Sequence, residues 1–336
     1  MRSVGRRLGP FADWGPGLGL LLVAAALPTL VSSEYVLLGA SMIVTMLVGL
    51  SFNLLFGYAG MFSFGQATFY GVGAYVTVLL INRGGFDFFT ALIAGMVAAM
   101  LVAGVSGAVL VRLEPIAFIM LTFALADLFE FAAGHARGLT GGDSGTIVSL
   151  PDSLNIIVGV DRVYYVILGV AVAVLAVAFA FVKASTGLVL RGIREDALRA
   201  RTLGIAVERR RLGVFVLAAA VAAAGGGLSV LSTQIVYPSV FAWQVSANAL
   251  IVTLIGGVGL FSGPMLGAVV LGLIDFYVGR LTTNTLLVDG LVLLAVVLVA
   301  PSGVGATGRG SLLAAPGAFV RRVRSMARDA RADPAG

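Results

Sequence analysis

The 336-residue chain contains no cysteine, a single histidine and a single lysine. Without cysteine the chain can form no disulfide, no thiolate metal site and no cysteine nucleophile. His135 alone cannot build a histidine-based zinc site. Lys183 is followed by Ala184 rather than by Ser or Thr, so the phosphate-binding sequence G-x-x-x-x-G-K-[ST] is missing. Hydrolysis of ATP through a P-loop of its own is therefore excluded.

Charge is also scarce, because Asp, Glu, Lys and Arg make up only 11% of the residues. Soluble globular domains carry around 25% charged residues. Apolar residues reach 59% and the mean hydropathy is +1.05. This apolar share would fill about ten membrane spans of roughly 20 residues each. The composition excludes a soluble enzyme and indicates an all-α, polytopic transmembrane helical bundle.

Apolar runs separated by polar or charged joints predict ten spans along the chain. Only Phe261-Ser262-Gly263-Pro264 separates the eighth run from the ninth, so residues 244–279 form either two spans or one broken element. Residues 1–303 are predicted to be the transmembrane domain, and residues 304–336 a basic, disordered tail that rests on anionic membrane lipid. The predicted spans are 16–33, 35–56, 64–82, 88–111, 116–133, 162–183, 213–236, 244–261, 263–279 and 284–300.

The basic residues predict the orientation of these spans. With a cytoplasmic N-terminus, 18 of the 22 Lys and Arg residues fall on the inner segments, as the positive-inside rule expects. Both termini and the 184–212 loop are thus predicted to be cytoplasmic. In a membrane protein the net charge of +6 reports this orientation, and we expect no nucleic-acid partner.

The 184–212 loop is the longest hydrophilic inner segment. Residues 190–203 predict one short amphipathic helix, which Gly204 would close. Its apolar stripe would consist of Ile193, Ala197 and Ala200. A cytoplasmic helix between two spans suits docking into a groove on a partner protein. The alternative is a solvated loop without a partner.

Polar side chains and glycines cluster between residues 53 and 75. The glycines would allow helices to approach closely or the backbone to unwind beside a cavity. Lipid offers the polar groups no hydrogen-bond partner, so the cluster is a candidate translocation path, with helix-to-helix hydrogen bonding as the alternative. The candidate path residues here are Asn53, Tyr58, Ser63, Gln66 and Thr68.

Two carboxylates, Asp127 and Glu130, lie three residues apart in the fifth span and share a helix face. A charge near the middle of a bilayer costs about 2.5–3.5 kcal/mol on insertion scales. The pair must therefore face a cavity, pair with a cation such as Arg137, or be protonated. It would form either an outer vestibule for the ammonium of a small zwitterion or a hydrated interfacial site. Asp275 and Asp289, near other span ends, are predicted to be interfacial.

Four stretches resemble permeases of ABC importers of the branched-chain amino-acid type, the LivM family. They are NLLFGYAGMFSFGQATFYGVGAY at 53–75, LTGGDSG at 139–145, STGLVLRGIREDALRARTLG at 185–204 and GGVGLFSGPMLG at 256–267. The resemblance implies an ABC-importer permease fold of the cobalamin-importer type in the cytoplasmic (inner) membrane of a prokaryote. It also implies that the 184–212 segment is a coupling loop that contacts ATPase subunits. The coupling residues would be Arg191, Arg194, Glu195, Asp196, Leu203 and Gly204.

The resemblance further implies a heterodimer with a sister permease subunit, two cytoplasmic ATP-binding subunits and an external solute-binding protein. ATP would be bound by the partner subunits, and the chain itself would hold no cofactor, no metal and no catalytic residue. The expected cargo is a branched-chain or other hydrophobic amino acid, with urea or a short amide as the alternative. A proton-coupled secondary transporter, with Asp127 and Glu130 as its relay, is the rival from another class.

Overall fold

A computed structural model describes residues 15–280, apart from 152, 153, 155, 157 and 158, together with Gly290. Apart from Gly290, the predicted tenth span lies outside the described residues, as do Asp289 and the 304–336 tail. The described helices are α1 (Gly15–Leu30), α2 (Ser33–Asn53), α3 (Gln66–Gly84), α4 (Phe88–Leu110), α5 (Pro115–His135), α6 (Arg137–Thr140), α7 (Val160–Lys183), α8 (Ser185–Glu195), α9 (Ala197–Thr202), α10 (Val207–Thr233), α11 (Trp243–Gly256) and α12 (Gly263–Val278). A π-helical segment, Leu54–Ala59, extends α2, and two-residue strands β1 (Thr146–Ile147) and β2 (Ile235–Val236) pair antiparallel.

Within the described ranges, five helices are long and apolar enough to cross a membrane. They are α2 with its π-helical extension, α4, α5, α7 and α10. Apolar helices α1, α11 and α12 are shorter than the roughly 20 residues of a complete span. The prediction of a helical membrane bundle is confirmed, and the predicted boundaries differ from the observed ones by a few residues. For example, the run at 88–111 is the helix Phe88–Leu110.

Helix α10 forms the centre of the bundle because its middle is made of alanine and glycine. Residues 218–228 are all buried. A Cβ on Gly73 of α3 would lie 2.3 Å from the Ala223 carbonyl oxygen, and one on Gly226 would lie 1.9 Å from the Tyr70 carbonyl oxygen. Small residues let the two backbones touch, as in other membrane helix pairs. The glycines of the 53–75 stretch therefore provide close helix packing, one of their two predicted uses.

Residues 244–279 contain two separate short helices, α11 and α12. A Cβ on Gly256 would lie 1.8 Å from the Gly263 carbonyl oxygen, and one on Gly267 would lie 1.9 Å from the Val252 carbonyl oxygen. These pairings run in opposite directions along the two helices, so α11 and α12 form an antiparallel hairpin. The glycine-rich 256–267 element supplies both its turn and its contact surface.

The bundle has two distinguishable ends. The strand face carries β1, β2 and the α3–α4 connection, where Asn82 Nδ2 donates to the Ile147 carbonyl oxygen at 2.7 Å. Also on this face, Asp87 begins α4, and its hydrogen bonds from Thr90 hold the pKa of the Asp87 carboxyl below its usual value. The α8 face carries the π-helical segment, α8, α9 and the 257–262 turn.

Candidate functional site

The prediction of one helix over residues 190–203 is wrong, because the structure has two helices there, α8 and α9. Helix α8 ends at Glu195, and Asp196 is extended at φ −156° and ψ 97°. Its Oδ1 accepts a hydrogen bond from the Arg199 backbone N–H at 2.9 Å, so Asp196 caps α9. An aspartate has a low helix propensity and a high preference for this capping position. The sequence pattern therefore permits the break that the structure shows.

Gly204 ends α9 as predicted. Its φ is +79°, a left-handed conformation that favours glycine. The Gly204 N–H donates to the Arg201 carbonyl oxygen at 2.9 Å, and the Ile205 N–H donates to the Ala200 carbonyl oxygen at 3.1 Å. This pair of bonds is a Schellman motif. It turns the chain from α9 towards α10.

The α8–α9 pair has one buried and one exposed apolar side. Ile193 and Ala200 of the predicted stripe are buried against Val207 of α10, whereas Ala197 is half-buried. On the outer side, Leu188 and Leu203 border a groove of about 330 Å³ that also contains Glu195 and Arg199. The exposed leucines of the pair are Leu188 (70% exposed), Leu198 (72%) and Leu203 (74%). We call these three residues the leucine face.

The two arginines among the predicted coupling residues contact the chain's own π-helical segment. Arg194 Nη1 donates a hydrogen bond to the Gly57 carbonyl oxygen. The Arg191 guanidinium lies 5.0 Å from the ring centroid of Tyr58, within cation–π range. These contacts connect α8 to the end of α2. Three of the six predicted coupling residues border the outer groove: Glu195, the capping residue Asp196 and Leu203.

Asn53 joins the π-helical segment to the α11–α12 turn. The Asn53 side chain is fully buried, its Nδ2 donates to the Leu260 carbonyl oxygen at 2.8 Å, and its Oδ1 accepts from the Gly259 N–H at 2.9 Å. A Cβ on Gly57 would lie 2.7 Å from the Gly259 nitrogen, so only glycine fits there. Helix α8, the π-helical segment and the α11–α12 turn are thus held together by side chain to backbone bonds.

The other polar path candidates lie in the protein interior. Ser51 Oγ donates to Gln66 Oε1 at 2.6 Å, and it also lies 2.8 Å from the Ala218 carbonyl oxygen. Ser63 Oγ accepts from the Gly65 N–H at 3.0 Å. Gln66 Nε2 and Thr68 Oγ1 are buried without a hydrogen-bond partner among the described residues. These groups surround the start of α3.

The start of α3 also receives bonds from α5 and α11. Thr122 Oγ1 of α5 accepts from the Phe64 N–H at 3.2 Å. Ser246 Oγ of α11 donates to the Phe64 carbonyl oxygen at 2.5 Å and accepts from the Ala67 N–H at 2.9 Å. Ser51, Ser246 and Thr122 were not among the predicted site residues, since a single hydroxyl in an apolar helix gives no local sequence pattern. Hydrogen bonding between helices, the predicted alternative, is present at this cluster.

Asp127 and Glu130 are placed differently, on a poorly covered side of α5. Asp127 is exposed and Glu130 is half-buried. The described ion pairs are Asp196 with Arg199, Arg201 with Glu208, and Glu34 with Arg280, so the suggested pairing with Arg137 is not formed. Asp127 shares one helix face with exposed apolar side chains, and we call this face the α5 stripe. Its members are Ile116, Met120, Phe123, Asp127 and Phe131.

Comparison with known proteins yields one family. The profile of the family described as "Branched-chain amino acid transport system / permease component" matches residues 35–301. The LivM permease protein of the high-affinity branched-chain amino acid transport system of Salmonella typhimurium (strain LT2) is 29% identical over 281 residues. Its counterpart in Escherichia coli (strain K12) is 28% identical over the same length. In both cases the match covers 76% of this chain and 66% of the relative, just under two thirds of its length.

The LivH permease protein of the same Salmonella system is 24% identical over 280 residues, covering 77% of this chain and 90% of LivH. No solved structure matches the chain significantly.

Proposed function

The chain belongs to the family of branched-chain amino acid transport permease components, and we propose that it is the membrane-spanning subunit of an ATP-driven ABC importer. As a family member with several membrane-length apolar helices, it is an integral membrane protein. In this function the chain itself holds no cofactor, and partner subunits bind and hydrolyse ATP. The proposed fold has ten spans in the cytoplasmic membrane, cytoplasmic termini and an importer architecture of the cobalamin type.

The leucine face is the observation that carries this proposal. It presents three exposed leucines on short helices between two membrane-length helices, α7 and α10. An apolar helix surface of this kind is suited to a hydrophobic groove on another protein. Behind it, Arg194 and Arg191 connect α8 to the π-helical segment. A partner that moves α8 therefore pulls on the end of α2 and, through Asn53, on the α11–α12 turn.

The α5 stripe supports a second membrane partner. An exposed carboxylate facing hydrocarbon would cost about 2.5–3.5 kcal/mol, which disfavours lipid contact at Asp127. A sister permease subunit packed against the stripe would cover its apolar members and leave Asp127 beside a shared, water-filled path. The heterodimer interface and the translocation path then coincide. The interior polar cluster around Gln66 would hold α3, α5 and α11 in position beside that path.

The proposed cargo is a branched-chain or other hydrophobic amino acid, delivered by an external solute-binding protein. The LivM and LivH relatives are named as permeases of branched-chain amino acid transport systems, which supports this choice. Urea or a short amide is the alternative cargo.

Co-expression with the sister permease and ATP-binding subunits tests the function. We expect affinity purification of the tagged chain to recover all of these subunits, and liposomes containing them to accumulate leucine only with ATP and binding protein. Leu198→Asp should abolish recovery of the ATP-binding subunits. Leu139→Asp, at a 50% exposed leucine on the strand face, is the matched control and should leave recovery unchanged. Proton-driven leucine uptake by the purified chain alone would overturn the proposal.

A further inference from the structure

A basic cavity opens on the α8 face, apart from the leucine face and the α5 stripe. It has a volume of about 630 Å³ and lies between the end of α7, α8 and the start of α10. Pockets that hold small ligands are commonly about 300–1,000 Å³. The cavity is therefore large enough for a phospholipid headgroup. Of the residues that line it, only Gly204 is among the predicted coupling residues.

Two arginines that form no ion pair with the residues the structure describes define the charge of this cavity. Arg209 and Arg210 both line it and are exposed. Neither takes part in the ion pairs found among the described residues. The neighbouring carboxylate, Glu208, is bound to Arg201 at 2.5 Å and does not line the cavity. Within the described part of the chain, the cavity thus presents two positive charges that no carboxylate compensates.

The remaining walls are mainly apolar and reach into the membrane-length helices. Phe181 belongs to the last turn of α7, and Gly213 lies two turns into α10. Leu190 and Ile205 complete the apolar side. Thr186 Oγ1 already donates to the Phe181 carbonyl oxygen at 3.0 Å. An occupant must therefore have an anionic part beside the arginines and an apolar part beside Phe181.

We propose that this cavity binds the headgroup of an anionic phospholipid, with its phosphate between Arg209 and Arg210 and the upper part of an acyl chain against Phe181 and Gly213. Basic pockets between membrane helices are suited to such headgroups, because the charge lies at headgroup depth beside apolar walls. The chain's own 304–336 segment carries six arginines and two aspartates, so its charge disfavours it as the occupant.

Native mass spectrometry of the full-length chain in detergent tests the proposal. Phosphatidylglycerol and phosphatidylcholine with identical acyl chains are titrated in parallel, and inorganic phosphate is titrated alone. We expect phosphatidylglycerol to bind more tightly than phosphatidylcholine. Arg209→Gln and Arg210→Gln should each weaken phosphatidylglycerol binding roughly five-fold, the contribution of one basic residue near an anionic membrane. Arg112→Gln, at an exposed arginine on the same face but outside the cavity, should leave binding unchanged.

A second variant tests the cavity without changing its charge. Nothing lies within 4 Å of a Cβ on Gly213, so Gly213→Leu should fill the cavity and remove selective phosphatidylglycerol binding. Gly169→Leu adds the same side chain on α7, also without a neighbour within 4 Å, and should have no effect. Equal binding of the two lipids, or undiminished binding by both arginine variants and Gly213→Leu, would overturn the proposal. Tight binding of inorganic phosphate that neither lipid displaces would assign the cavity to a soluble anion and would overturn it as well.

Discussion

Replacing Arg194 by alanine should separate docking of the ATP-binding subunits from transmission of their movement. The Arg194 guanidinium bonds to the Gly57 carbonyl oxygen and lies 3.3 Å from where a Cβ of Gly259 would be. A hydrogen bond from a charged donor contributes about 1.5–3 kcal/mol. Because the Arg194 site is partly exposed, we take the lower value for its bond to Gly57, about 1.5 kcal/mol. A loss of about 1.4 kcal/mol corresponds to a tenfold change in an equilibrium constant. We therefore expect about tenfold less leucine transported per ATP hydrolysed.

The assay is ATP hydrolysis and leucine uptake measured on the same liposomes that contain the complete importer. Arg194→Ala should still co-purify with the ATP-binding subunits, because the leucine face is intact. Arg194→Lys, which keeps one charged donor but loses the planar fork, should recover part of the coupling. Arg112→Ala is the control, since Arg112 is an exposed arginine on the same face, outside the groove, and takes part in none of the ion pairs among the described residues. Its coupling should change no more than about twofold, since surface substitutions of this kind usually shift the free energy by less than about 0.5 kcal/mol.

Two results would refute this reasoning. If Arg194→Ala lost the ATP-binding subunits as completely as Leu198→Asp, Arg194 would be a docking residue, as the sequence alone predicts. If Arg194→Ala transported as many leucines per ATP as the unaltered chain, the contact with Gly57 would carry no movement.

Three further substitutions have expected outcomes. Gly73→Ala should lower the thermal unfolding midpoint in detergent, because its Cβ would lie 2.3 Å from the Ala223 carbonyl oxygen and overpacking costs about 1–3 kcal/mol. The control is Gly104→Ala, which has no neighbour within 4 Å and should leave the midpoint unchanged or raise it. Asn53→Ala should also lower the unfolding midpoint and destabilise the chain by about 1–3 kcal/mol, since two partly buried backbone groups lose their partner. A loss smaller than about 0.5 kcal/mol would contradict a stabilising role for these two bonds. Asp127→Asn should reduce ATP-driven leucine uptake. Uptake by the unaltered importer should be insensitive to a proton uncoupler, and sensitivity to the uncoupler would favour the proton-coupled alternative.

Hydropathy predicted the helices well because each span must bury its own backbone hydrogen bonds, whatever its neighbours are. The helices observed at the predicted spans 88–111 and 162–183 are Phe88–Leu110 and Val160–Lys183. The 190–203 segment was less predictable, since Asp196 is compatible with both a helix interior and a cap. In the structure, Asp196 caps α9, and the break it makes between α8 and α9 occurs together with the burial of Ile193 and Ala200 against Val207.

The candidate site was only partly predictable from the chain's local patterns. The segment that joins α8 to the membrane helices was identified, but the contacts of Arg191 and Arg194 within the chain were not predicted. Tyr58 and Gly57, which these arginines contact, lie more than 130 residues earlier in the chain. Similarly, Asn53 was recognised as polar, whereas its bonds to Gly259 and Leu260 involve residues more than 200 positions away.

By itself, the sequence determined the class of protein: a helical membrane chain without a P-loop. These properties depend on the transfer of each segment between water and lipid and on the charges beside it, which are local quantities. Only the tertiary structure decided which polar groups are buried between helices, which leucines remain exposed and which arginines line a cavity. Those outcomes depend on close packing between distant segments, such as Gly73 against Ala223, where the absence of a single Cβ lets two backbones meet.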